Sequence, residues 1–232
     1  MPAWDKAIWR AGPFFMYRQN QPVYALFGSW RLFTYNALRA VIVRGSAEQA
    51  AAAEFVFNEM DKPAISTDSS SAIEHTHSPE FRMRITEDNV VRVFYLPNTR
   101  TVADFQLLSL IVRVATDIRW MFMYNAARAV ATRGNEEGLA AAAWLFNELD
   151  QPSNAPQDSG LHEYRIPSAS DDVIRIFRLA LPANAQRLDD VSNRIRPMTS
   201  RRIAMPYPAN KPIVVRATAG QIALAEQLIK RQ

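Results

Sequence analysis

The sequence predicts an α+β protein that consists of three tandem copies of one small β-α-β-β-α unit. Two observations predict this fold class. First, three stretches align with one another: WRLFTYNALRAVIVRG from Trp30, RWMFMYNAARAVATRG from Arg119 and RIAMPYPANKPIVVRA from Arg202. Second, each stretch contains alternating apolar residues, as strands do, and a helical pattern follows it. Self-similarity of this kind indicates a repeated supersecondary unit.

A further shared block opens the two later copies. EFRM from Glu80 and DNVVRVFYL from Asp88 match EYRI from Glu163 and DDVIRIFRL from Asp171. The alternating β-branched residues of the longer segments predict a strand, and the shorter segments predict an added strand. The first copy has no clear equivalent, so its start is either truncated or divergent.

These matches predict the domain boundaries. Copy one, copy two and copy three are residues 1–63, 80–152 and 163–232, and the linkers between them are residues 64–79 and 153–162. The linkers are polar or proline-containing, and a proline that stops the preceding helix comes just before each of them.

The first helix of copy two is predicted over residues 101–116, with Val102, Phe105, Leu108, Ile111 and Val112 on one apolar face. A hairpin follows, because only a short turn separates two strand patterns. The closing helix of each copy begins after a good N-cap residue: Ser46, Asn135 or Thr218. Gln49 and Gln221 complete capping boxes in copies one and three.

The closing helices carry an apolar stripe that recurs in all three copies, for example at Ala53, Ala142 and Ala225. Phe55 and Trp144 stand at the same helix position, just outside that stripe. If they are exposed, they form matching apolar patches for a neighbouring copy or subunit, and they are the candidate protein-interaction residues. The alternative is that the core stripe is simply wider.

The order and spacing of these patterns resemble the N-terminal repeats of bacterial secretins. The segment from Asn36 to Gln49, NALRAVIVRGSAEQ, matches that family well, whereas copy two has Ala131 and Thr132 where Ile-Val is expected, and copy three has Ala217 for the glycine. The resemblance implies a KH-like fold, a periplasmic or outer-membrane-associated location, and ring assembly through small domains. No series of long alternating strands follows copy three, so the pore-forming part of that family is not expected here.

Several classes of function have no supporting motif. The chain has no cysteine, and it contains no G-x-S-x-G, phosphate-binding glycine loop, H-E-x-x-H or dinucleotide fingerprint. His75 and His77 form an H-x-H beside Glu74, but a serine-rich linker favours surface histidines over a metal site. We therefore expect no catalytic residue, no metal, no cofactor and no small-molecule substrate.

Location and partners follow from the same considerations. No apolar run reaches the roughly 20 residues of a membrane span, and the start has no signal-peptide pattern as it stands. The net charge of +4 and the pI near 9.6 raise an alternative, a KH-like nucleic-acid-binding array. The G-x-x-G loop of true KH modules is absent, because no two glycines are three residues apart. The predicted partners are proteins or further copies of the chain, and nucleic acid is unlikely.

Overall fold

The structure is a computed structural model, and it describes residues 5–10, 26, 31–35, 40–61, 78–84, 87–152, 161–169, 171–179, 185–199 and 203–230. The described helices are α1 (Ala47–Met60), α2 (Val102–Thr116), α3 (Glu136–Leu149), α4 (Ala185–Ile195) and α5 (Ala219–Lys230). A short 3-10 turn, Arg196–Met198, follows α4. The mixture of helices and antiparallel strands confirms the predicted α+β class.

The described strands form three antiparallel sheets. Sheet one contains β1 (Asp5–Arg10), β2 (Arg31–Tyr35) and β3 (Ala40–Gly45), in the order β1-β3-β2. Sheet two contains β4 (Glu80–Arg82), β5 (Val90–Tyr95), β6 (Trp120–Tyr124) and β7 (Ala129–Gly134), in the order β4-β5-β7-β6. Sheet three contains β8 (His162–Arg165), β9 (Asp172–Arg178), β10 (Ile203–Pro206) and β11 (Pro212–Thr218), in the order β10-β11-β9-β8.

The three sheets share one strand register. Gly45, Gly134 and Ala217 align in sequence, and they lie opposite Asp5, Val90 and Val173 respectively. Thus β1 has in sheet one the place that β5 and β9 have in the other two sheets. Its sequence, DKAIWR, differs from VVRVFY, so the start of copy one contains a strand that the sequence pattern did not reveal.

The predicted helix starts agree with the structure. The Ser46 hydroxyl accepts from the Gln49 amide, and the Gln49 side chain accepts from the Ser46 amide, which completes the capping box. Thr218 and Gln221 make the same reciprocal pair, and the Asn135 side chain accepts from the Gly138 amide at 2.8 Å. On the predicted apolar face of α2, Phe105, Leu108, Ile111 and Val112 are buried. Val102 is 54% exposed, because it opens the first turn.

The chain divides into two compact units. Unit one comprises residues 1–99 and 118–139, and unit two comprises residues 100–117 and 140–232. A core in unit one combines residues of α1 with residues of sheet two, such as Val56, Phe57, Val91 and Val93. A core in unit two lies between sheet three and the helices α4 and α5, around Leu188, Val215 and Ile222.

Candidate functional site

In unit one, the outer face of α1 packs against the sheet of the following copy. Ala52 and Phe55 of α1 share one apolar cluster with Phe81, Val91 and residues of β7 in sheet two. The rings of Phe55 and Phe81 lie 5.9 Å apart and are tilted by 31°, a favourable aromatic arrangement. One helix face of copy one is therefore covered by copy two.

In unit two, α3 makes the matching contact with copy three. Trp144 occupies the position of Phe55, and its ring lies 5.5 Å from the ring of Tyr164, which occupies the position of Phe81. Both predicted interaction residues, Phe55 and Trp144, are thus half-buried and face the first strand of the next copy. Their assignment to contacts with a second protein stays a prediction.

The end of each of these helices contacts the next sheet through the same atoms. The Tyr95 hydroxyl lies 2.9 Å from the Glu59 carbonyl and 3.1 Å from its carboxylate. At the matching position, Arg178 donates to the Glu148 carbonyl at 3.4 Å and lies 3.7 Å from its carboxylate. Burial is the main cause that raises the pKa of the Tyr95 hydroxyl, and the charge of Glu59 raises it further. Tyr95 therefore stays protonated and can donate a hydrogen bond.

A third contact comes from two arginines at matching positions, Arg133 and Arg216. Arg133 donates to the Leu26 carbonyl at 3.2 Å, and Arg216 donates to the Ala115 carbonyl at 2.8 Å. Leu26 precedes Tyr35 by the same number of residues as Ala115 precedes Tyr124, and the two tyrosines align. The Leu26 and Ala115 carbonyls are therefore at equivalent positions. Each arginine therefore reaches from one copy to the same backbone atom of the copy before it.

Arg216 is the most strongly bonded of these side chains. It donates to both carboxylate oxygens of Asp172, at distances of 2.7 to 3.1 Å, and to the Asp117 carboxylate at 2.8 Å. Asp117 ends α2 in the left-handed conformation, with φ 55°. Burial alone would lower the pKa of Arg216, but the hydrogen bonds and charges of Asp172 and Asp117 raise it. The guanidinium is therefore charged, nearly buried and paired.

Arg133 has a different environment in unit one. It donates to the Asp88 carbonyl at 2.9 Å, and its guanidinium lies 5.8 Å from the centre of the Trp120 ring. Burial lowers the pKa of Arg133 from its ordinary value. Arg44, Arg133 and Arg216 align in the three similar stretches of the sequence. The sequence does not reveal a role for Arg133 and Arg216, because their acceptors are carbonyls of another copy.

The added strands hold a second recurring charge pattern. Arg82 and Arg92 both pair with Glu80, at 3.0 and 2.5 Å, and the corresponding Arg165 and Arg175 both pair with Glu163. For Glu80, the Arg92 hydrogen bond is the main cause of a lowered carboxyl pKa. For Glu163, burial raises the pKa, but the Arg175 and Arg165 pairs outweigh it and the net shift is downward.

This shift predicts a pH dependence of stability. Because the pKa of Glu163 is lower in the folded chain than in the unfolded chain, its contribution is fully present above the unfolded pKa and is lost as pH falls through the folded pKa. We expect Glu163→Gln to reduce the loss of stability between about pH 6 and pH 3. Urea unfolding of the wild type and of Glu163→Gln at several pH values measures the free energy of unfolding. The prediction is contradicted if this free energy falls equally with pH in both proteins.

The small residues on the outer helix face should also matter. Ala141, which matches Ala52, is fully buried and shares a helix face with Trp144 and Glu148. We expect Ala141→Leu to lower the free energy of unfolding by about 1–2 kcal/mol, because the added methylenes must displace packed atoms. The exposed neighbour Ala140 offers the control, Ala140→Leu, which should stay within about 0.5 kcal/mol of the wild type. Equal effects of the two substitutions would contradict the packing of this face.

The linker histidines His75 and His77 lie outside the described residues. Within the described residues, no group of three His, Asp or Glu side chains could hold a metal ion. None of the described helices combines the length and the apolar character that a membrane span needs.

No protein-family model matches the chain, and no curated protein matches it either. Among solved structures, it is similar to ExeD of Aeromonas hydrophila, with 12% identity and a TM-score of 0.22 over 98% of this chain and 40% of that one. It is also similar to the type II secretion system secretin GspD of E. coli K12, with 11% identity and a TM-score of 0.21 over 100% of this chain and 39% of that one. A third similar structure is the pilotin–secretin complex AspS–GspD of ETEC, with 13% identity and a TM-score of 0.22 over 100% and 38%. The chain thus spans about two fifths of the length of these proteins, and the scores are too low to assign a function.

Proposed function

We propose that this chain is a non-enzymatic bacterial envelope protein whose three KH-like copies mediate oligomerisation or docking to a secretion- or pilus-type partner. The observation that carries the proposal is the contact between copies, which occurs twice with equivalent residues. Tandem small units that repeat one contact supply binding surfaces, and no catalytic motif accompanies them in the sequence. The sequence resemblance to the N-terminal secretin repeats supports the envelope location and the type of partner.

Site-specific photo-crosslinking in the cells that produce the protein tests this proposal. A photoreactive residue would replace one exposed leucine at a time: Leu110, Leu161 or Leu224. We expect crosslinks in the envelope fraction to a secretion or pilus assembly protein, or to another copy of the chain, identified by mass spectrometry. Crosslinks confined to cytosolic enzymes or to nucleic acid would contradict the proposal.

The nucleic-acid alternative is disfavoured by the state of the arginines. Arg92, Arg175 and Arg216, which contribute to the high pI, are engaged in ion pairs with carboxylates of the chain. A guanidinium that is paired with a carboxylate has part of its charge and donors engaged, whereas nucleic-acid binding depends on available basic side chains. Titration with single-stranded RNA at low salt should therefore show no binding, and a salt-dependent complex would favour the alternative.

A further inference from the structure

In unit two, copy three provides side-chain donors to the C-terminal ends of α2 and α3. The last four carbonyls of an α-helix have no partner within the helix. At the end of α2, the Ala115 carbonyl accepts from Arg216 of β11 at 2.8 Å. At the end of α3, the Leu149 carbonyl accepts at 2.8 Å from Asn210, which lies in the turn between β10 and β11. Copy three thus holds the ends of two helices that β6 and β7 separate in the sequence.

The charges at these helix ends favour the same arrangement. The C-terminus of a helix carries a partial negative charge, so a cation placed there is stabilising. Arg216 lies at the end of α2, and Arg178 of β9 donates to the Glu148 carbonyl at the end of α3 at 3.4 Å. The side chains of Arg216 and Arg178 are only 6% and 18% exposed, so water screens these interactions little. Each of the two helix ends therefore has a largely buried cation from copy three.

Tyr207 of copy three is a further connection to both helices in unit two. Its side chain is fully buried, and burial is the main cause that raises the pKa of its hydroxyl. The carboxylates of Asp104 in α2 and of Asp150, just after α3, raise this pKa further. In addition, α2 lies against β10 and β11. Copy three is therefore in contact with α2 and α3 beyond the two helix ends.

The compact units follow these contacts and not the copies of the sequence. Unit two contains copy three together with α2 and most of α3, whereas the four strands of copy two belong to unit one. Because helix ends without hydrogen-bond partners are unstable when they are buried, the last turns of α2 and α3 depend on the donors of copy three.

We propose that α2, α3 and copy three open and close as one cooperative unit, in which Arg178, Asn210 and Arg216 hold the ends of both helices of copy two. The limit of cooperative unfolding then runs through copy two, between its strands and its helices, and not through the linker of residues 153–162. Folded proteins commonly open locally in such cooperative units. An event that displaces sheet three therefore releases the ends of α2 and α3, whichever partner causes it.

Native-state hydrogen exchange of the full chain, measured on peptides by mass spectrometry at increasing urea concentrations, tests the proposal. The opening free energy of an amide and its dependence on urea report the unit that must open before that amide exchanges. We expect the amides of α2, α3, β9 and β11 to converge on one opening, and those of β6 and β7 to converge on a different one. The proposal is overturned if α2 and α3 exchange together with β6 and β7, or if all these elements share a single opening.

Asn210→Ala gives a sharper test, because it removes a donor at the end of α3 only. We expect exchange in α2, α3 and sheet three to accelerate by one common factor of about three to ten, the effect of losing one neutral hydrogen bond. Exchange in β6 and β7 should be unchanged. Acceleration confined to the last turn of α3, or no acceleration at all, would overturn the proposal.

The control is Asn193→Ala, which removes the same side chain from the exposed surface of α4. Every exchange rate should stay within about two-fold of the wild type in this variant. If Asn193→Ala accelerates α2 and α3 as much as Asn210→Ala does, the donors at the helix ends are not what couples them to copy three, and the proposal fails.

Discussion

Arg216→Ala is expected to lower the free energy of unfolding by about 3–5 kcal/mol, the typical cost of removing one partner from a buried ion pair. The substitution leaves the Asp172 carboxylate, whose side chain is 11% exposed, without its guanidinium, and it also removes the donor to the Ala115 carbonyl. Urea unfolding followed by circular dichroism at pH 7 measures the effect.

Arg165→Ala is the matched control for Arg216→Ala. Arg165 also pairs with a carboxylate, that of Glu163, but its side chain is 75% exposed. An exposed pair typically contributes less than about 1 kcal/mol, so this variant should be close to the wild type. Comparable losses of unfolding free energy in Arg216→Ala and Arg165→Ala would show that burial does not strengthen the contribution of the Arg216 ion pair.

Trp144→Ala is expected to lower the free energy of unfolding by about 2–4 kcal/mol, somewhat less than a fully buried tryptophan would, because Trp144 is half-buried. The indole ring lies 5.5 Å from Tyr164, so its loss removes an aromatic contact between copies two and three as well as buried area. Thermal or urea unfolding measures the change.

Two companions to Trp144→Ala separate packing from general effects. Trp144→Phe should recover most of the stability, because phenylalanine is the residue at the matching position of α1. Leu110→Ala, at an exposed apolar residue of α2, should cost less than about 0.5 kcal/mol. A loss below about 1 kcal/mol in Trp144→Ala would mean that the contact with Tyr164 contributes little to joining the copies.

Local features were predictable from the sequence because their causes are local. The capping boxes at Ser46 and Thr218 need only residues three positions apart, and both are present. The hairpin strands β6 and β7 follow from alternation and a short turn, and they pair antiparallel with the expected residues. Val102 belongs to the predicted apolar face of α2 but is exposed, because it opens the first helical turn.

The contacts between copies were not predictable, because periodicity shows how wide an apolar face is but not what covers it. The sequence shows Phe55 and Trp144 as aromatic residues beside the apolar stripe, and it shows Phe81 and Tyr164 in a repeated strand pattern. It does not show that Phe55 contacts Phe81 or that Trp144 contacts Tyr164. The alignment of Arg133 with Arg216 is also visible in the sequence. Their acceptors are not, because the Ala115 carbonyl, which accepts from Arg216, lies about a hundred residues earlier in the chain.

The strand β1 was missed for another reason. Its sequence, DKAIWR, contains three charged residues in six and lacks the β-branched alternation of β5, so propensity gave no strong signal. Its pairing with β3, from Asp5 opposite Gly45 to Arg10 opposite Ala40, is a long-range interaction. Tertiary pairing thus determines a strand that local propensity would leave unassigned.

We propose that this chain associates with further copies of itself through its repeated units. Its molar mass in solution, measured by light scattering across a concentration series, tests this association. We expect a mass that rises with concentration above the 26.3 kDa of a single chain. A mass that stays at 26.3 kDa throughout the series would contradict it.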